Sequence, residues 1–133
     1  MDPQKQSPIF SKTYDFLLWV LRHTEQYPKS QRFRLAKRLE DSAFELYDNL
    51  VIAAGSASPQ VALQTADLVL SRLKLSVRLS RDLQLMTPKQ YEYAARKLAE
   101  IGRLLGGWQK AKFEPNRNTD GIPGDAARRL VEQ

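Results

Sequence analysis

Between residues 10 and 112 apolar side chains recur every three to four positions in four runs, the period of an amphipathic α-helix. The first run, about Ser11 to Thr24, has Phe10, Tyr14, Leu17 and Leu21 at i, i+4, i+7 and i+11, predicting one stripe. "YPKS" breaks it, because Pro28 pushes the residue before it toward an extended backbone. The second run, about Ser30 to Ala54, repeats through Leu35, Leu39, Ala43, Leu46 and Leu50. "GSASP" supplies a stop glycine, then Ser58 and Pro59 as a cap and a first-turn proline. The third run covers about Pro59 to Leu83. "LMTPKQ" then offers Thr87 as N-cap, Pro88 as first helical residue and Gln90 three after the threonine, a capping box. The fourth run covers about Pro88 to Lys112. Nothing alternates with period two, so no strand is expected. Four such helices with short connections predict an all-α fold, an antiparallel up-down four-helix bundle over residues 1–112. Residues 113–133, with two prolines and two glycines, are expected to be a disordered tail with at most a short helix over Asp125–Val131.

The third helix has more apolar surface than one core needs. Ala62, Ala66, Val69, Leu70, Leu73 and Val77 make one face, and Val61, Leu68, Leu75, Leu79 and Leu83 make a second beside it, interrupted by Arg72. Together they span roughly 200°, about twice the width of an ordinary surface-helix stripe. The second face, with Leu68, Leu75 and Leu79 at its centre, is expected to meet another copy of the chain. In the fourth helix Ala95, Ala99, Gly102 and Gly106 lie within about 60° of one another and form a shallow groove. Tyr91, Ala94, Leu98, Leu105 and Trp108 are expected to point into the core. Glycine costs about 1 kcal/mol in a helix interior, so the groove implies close approach by another helix, and these four small residues join the expected oligomer interface.

Charge adds a second theme. Residues 1–112 hold 18 Lys and Arg against 11 Asp and Glu, whereas residues 113–133 hold three Arg against four acids. A basic body favours polyanions or an acidic protein face. The cations cluster. Lys29, Arg32, Arg34, Lys37 and Arg38 crowd one helix start, where positive charge opposes the helix dipole. Arg72, Lys74, Arg78 and Arg81 form a second group, and Arg96 and Arg103, near Lys89, a third. No zinc-finger or RNP pattern accompanies them, so phosphate contact rather than base reading is indicated.

The chain gives little material for catalysis. It has no cysteine and one histidine, His23. Without a second histidine or a carboxylate at i±3 or i±4, His23 reads as a surface or capping residue, and no metal or cofactor is expected. Glu40 and Asp41 read as solvated helix-face charges. Glycine-rich phosphate loops, nucleophile elbows and Glu-x-x-His pairs are absent, so no enzymatic activity is expected. The first ten residues lack a leader-type apolar core and no long apolar window occurs, so a cytoplasmic protein that does not enter the membrane is expected.

Two stretches carry a family resemblance. "MTPKQYEYAARKLAEIGRLLGGWQKA" (Met86–Ala111) resembles the last helix of the accessory variability determinant (Avd) proteins of diversity-generating retroelements. "YPKSQRFRLAKRLEDSAFELYDNLVIAAG" (Tyr27–Gly55) resembles their second helix. The wider family includes bundles encoded in intervening sequences of bacterial 23S rRNA genes. The resemblance covers residues 10–112. It implies a ring-like homopentamer without catalytic activity that binds the retroelement's reverse transcriptase and its template RNA or cDNA, supporting mutagenic retrohoming. It leaves residues 113–133 without a role. The rivals are an rRNA-intervening-sequence type of bundle without a polymerase partner, a scaffold that binds only protein, and a small enzyme.

Overall fold

The computed structural model describes residues 7–113. They form four α-helices joined by short connections: α1 (Pro8–His23), α2 (Lys37–Ala54), α3 (Gln60–Asp82) and α4 (Pro88–Phe113). Among the described residues there is no strand, and no helix is long and apolar enough to cross a membrane. The expected tail and its short helix over Asp125–Val131 lie outside the described residues.

Each helix packs on its sequence neighbours, and α1 closes the bundle against α4. Neighbouring helices run in opposite directions. Phe10, early in α1, lies 6.3 Å ring to ring from Trp108, late in α4, whereas Trp19 lies 5.2 Å from Tyr93, early in α4. The interior is aliphatic. Leu39, Leu46, Leu50, Leu63, Leu73, Leu98, Ile101 and Leu105 are fully buried around Phe16. Truncating side chains of this kind typically costs about 2–5 kcal/mol through lost transfer energy and a residual cavity.

The helix ends follow their local chemistry. Thr87 and Gln90 form the predicted capping box: the Gln90 N–H donates to Thr87 Oγ1 at 3.1 Å and the Thr87 N–H donates to Gln90 Oε1 at 2.8 Å. The end of α3 is closed by a Schellman motif. The Leu85 N–H reaches back to the Ser80 carbonyl at 2.7 Å, and the Gln84 N–H to that of Arg81 at 2.9 Å. Gln84 adopts the left-handed backbone this requires, with φ 61°, where glycine would be easier. At the start of α3, Pro59 itself occupies the N-cap, and Ser58 makes no side-chain cap bond.

Three expectations need correction. The buried face of α1 is Ile9, Phe10, Thr13, Phe16, Leu17, Val20 and His23, one position round from the predicted stripe, and Tyr14 is exposed. The phase is set by Ile9 and Phe16, whose burial turns Tyr14 outward. His23 is not a surface residue. It is 5% exposed, stacked on Trp19 with centroids 4.7 Å apart and planes 6° apart, with Tyr27 edge-on at 5.1 Å. Glu40 is half-buried rather than merely solvated, because its carboxylate accepts a hydrogen bond from the Thr24 hydroxyl. Together with the Tyr27 hydroxyl on Ser80 Oγ at 2.7 Å, this bond ties the α1–α2 connection to α2 and α3.

Burial lowers the pKa of His23, against a weaker opposing effect from its bond to the Leu85 backbone, and its Nε2 has no partner among the described residues. The unfolded chain therefore binds the proton first as pH falls below the ordinary histidine value of about 6.5. The stability contributed by neutral His23 is complete above that value and is lost as pH falls toward the folded-state pKa. The melting temperature should drop between about pH 7.5 and about pH 5.5. His23→Phe should flatten that drop, and an equal drop in the variant would assign the pH dependence to other groups.

Candidate nucleic-acid interface

The first cationic cluster owes its shape to an irregular backbone. Pro28 is extended at ψ 157°, and Lys29–Gln31 then form one tight 3-10 turn. Arg32–Ala36 form a π-helical turn, in which the Lys37 N–H bonds the carbonyl of Arg32, five residues back. Such wide turns are rare and often occur at functional sites. The predicted helix from Ser30 thus becomes α-helical only at Lys37. The wide turn buries Leu35 and Ala36 and leaves Arg32, Phe33 and Arg34 exposed.

The antiparallel packing of α2 on α3 then brings Arg72 across to this segment. Phe33, Arg34, Lys37, Arg38, Asp41, Ser42 and Arg72 line a single open concavity of about 340 Å³. Lys37 bonds Asp41 at 2.7 Å, which raises its pKa and keeps it charged. Arg72 stands 4.0 Å from Glu45. Arg34 and Arg38 make no ion pair among the described residues. Lys29 and Arg32 are exposed just outside the concavity.

The other predicted cations lie elsewhere. Lys74 and Arg78 face α4 rather than α2 and, with Ala95 and Ala99, line a hollow of about 200 Å³. Arg81 lies near the end of α3. Its guanidinium sits 4.6 Å over the Tyr91 ring and bonds Asp82 at 2.9 Å, so it is committed within the chain. Arg96 is 3.9 Å from Glu92 and lies over Tyr93, while Arg103 is exposed on the same helix. The second cluster is therefore divided by α3 between two seams of the bundle, one toward α2 and one toward α4.

The apolar faces separate as the pattern implies. Ala62, Ala66, Val69, Leu70, Leu73 and Val77 are buried, whereas Val61, Leu68, Leu75, Leu79 and Leu83 are all at least 42% exposed. In the α4 groove Gly102 has a partner inside the chain, since a Cβ there would stand 3.3 Å from Leu70 Cδ2. Among the described residues, a Cβ at Gly106 would meet nothing within 4 Å. Ala95 is half-buried and Ala99 exposed. Ala94, Leu98 and Leu105 are buried as predicted, with Tyr91 and Trp108 half-buried. Among the described residues, no three of His, Cys, Asp and Glu gather closely enough to hold a metal ion.

Two features escaped sequence reasoning. Phe33 belongs to the concavity, and the signal was present in "RFR", an aromatic between two arginines. The Thr24–Glu40 bond had no signal, because it joins residues sixteen apart through a turn of unpredicted geometry.

A family model described as bAvd-like matches residues 8–112 of the chain. No curated protein matches it.

Exposed cations with no carboxylate partner contribute little to folding. Arg34→Glu with Arg38→Glu is therefore expected to change unfolding free energy by less than about 0.5 kcal/mol per site in urea denaturation. A loss well above that would make these residues structural.

Proposed function

The chain belongs to the bAvd-like family, and we propose that it serves as the non-enzymatic accessory protein of a diversity-generating retroelement. In this reading it binds the reverse transcriptase and the template RNA or its cDNA, and so supports mutagenic copying and retrohoming. The observation that carries the reading is the family match over residues 8–112. The convergence of Arg34, Lys37, Arg38 and Arg72 on one concavity supports it. Arg34 and Arg38 have no carboxylate partner among the described residues, and phosphates or polymerase carboxylates would supply one. Lys29 and Arg32 extend the field along the turns that precede α2, and Lys74, Arg78, Arg96 and Arg103 extend it over the α3–α4 side.

The same reading has the chain act as a homo-oligomer, a ring of five. Leu68, Leu75 and Leu79 are exposed on the outer side of α3, an apolar face interrupted by Arg72, and exposed apolar faces mark interaction surfaces. The open space beside Gly106 and Ala99 would admit a neighbouring helix closely. Leu75→Glu with Leu79→Glu should lower the solution mass measured by light scattering while leaving the far-UV circular dichroism unchanged. An unaltered mass would remove these leucines from the interface.

Nucleic-acid binding is tested by salt. Affinity for the template RNA should fall linearly on a log–log plot, with a slope of roughly 0.7 per phosphate neutralised on single strands. Arg34→Glu with Arg38→Glu should reduce that slope by about 1.4 and weaken capture of the polymerase, with the oligomer intact. Reversal of Arg78 should act in the same direction. Salt-insensitive RNA binding would favour a scaffold that engages protein alone.

A further inference from the structure

Phe33 is 78% exposed, more than any other large hydrophobic side chain among the described residues. A lone exposed apolar residue is ordinary, but its setting is not. It stands on a hydrogen-bonded π turn, so its backbone is held in place. It shares its concavity with three arginines and a lysine, while Asp41, the one carboxylate lining it among the described residues, is engaged by Lys37. The volume of about 340 Å³ is at the small end of the range for ligand sites, roughly 300–1,000 Å³. It suits one planar group rather than a helix.

Those facts restrict the occupant. A second copy of the chain, in the ring proposed above, meets the outer leucines of α3 and the α4 groove and leaves this concavity open. An acidic peptide would satisfy the cations but has no general need of an exposed aromatic ring. A nucleic-acid duplex would satisfy the cations and hide its base faces within the stack. A single strand offers both features, phosphates at regular spacing and unstacked bases with free π faces.

We infer that Phe33 is a stacking platform for one unpaired base of a single-stranded nucleic acid, with Arg34, Arg38 and Arg72 holding the adjoining phosphates. This rests on the function proposed above and adds to it the strand form and the residue that recognises it. The arginines supply most of the affinity for either form, and Phe33 supplies the preference for an open strand.

The test compares two probes on the full chain at one salt concentration: a labelled oligouridine of about twenty nucleotides, and a blunt RNA duplex of the same length. Phe33→Ala should weaken oligouridine binding about tenfold, the loss of one stacked base, and leave duplex binding unchanged. Phe33→Trp should restore the open-strand affinity. The salt slope should not move in either variant, since no phosphate contact is removed. Unchanged oligouridine affinity in Phe33→Ala would overturn the inference, and so would an equal loss on both probes. A fall in solution mass for the variant would overturn it too, by placing Phe33 between copies of the chain. Each of these leaves the nucleic-acid reading standing if the wild-type chain binds RNA in a salt-dependent way. If the wild-type chain binds neither probe, the proposed function fails and the role of Phe33 fails with it.

Discussion

A helix in a four-helix bundle can bury only the part of its circumference that its neighbours cover, and α3 carries apolar residues over more than that. Its inner side is sealed by Leu63, Val69, Leu73 and Val77, none more than 2% exposed. Its outer side keeps Val61, Leu68, Leu75 and Leu79 in solvent. Packing sets the rotation of α3, because turning the helix to cover the outer leucines would expose the inner ones at greater cost. Once that rotation is set, the positions of its charged residues follow. Arg72 falls toward α2, and Lys74 and Arg78 fall toward α4.

The charge pattern thus depends on the core. Arg72 reaches the concavity of Arg34, Lys37 and Arg38 because α3 runs antiparallel to α2 and packs closely against it. The start of α2 carries cations where the helix dipole disfavours them, and no ion pair relieves Arg34 or Arg38 among the described residues. An arrangement that is locally unfavourable and globally well supported is the pattern expected of a binding surface. At the neighbouring end of the bundle, His23, Tyr27 and Glu40 bind the α1–α2 connection to the core through one aromatic stack and two hydrogen bonds. That connection holds the π turn from which Phe33 projects.

Most of this bundle could be read from the chain. Helix number, order and most boundaries followed from the 3.6-residue period, and the Thr87–Gln90 box came from local chemistry that tertiary structure did not alter. Leu35, Leu39, Ala43, Leu46 and Leu50 are all buried as their spacing required. The misses have a common cause. The α1 stripe was displaced by one residue because Phe10, Tyr14 and Phe16 are all large and apolar, and only the packed neighbours decide which of them turns outward. A lone histidine gives no sign that Trp19 and Tyr27 will enclose it. The π turn has no sequence period of its own, so spacing could not show that Phe33 turns outward, and only the flanking arginines of "RFR" marked it. For the candidate site, the grouping of Arg34, Lys37 and Arg38 was legible from their spacing. How α3 divides Arg72 from Lys74 and Arg78 was not, since it depends on where α2 and α4 sit.

In the proposed function the exposed leucines and the converging arginines serve two different contacts, one with further copies of the chain and one with nucleic acid. The most direct measurement is the solution mass of the full chain by light scattering, with and without a structured RNA, at low and at high salt. The account predicts a particle of about five chains at both salt concentrations, which gains the mass of the RNA at low salt and loses it at high salt. A particle of 15.3 kDa, a single chain, would contradict the self-association. RNA retained at high salt would contradict the electrostatic contact.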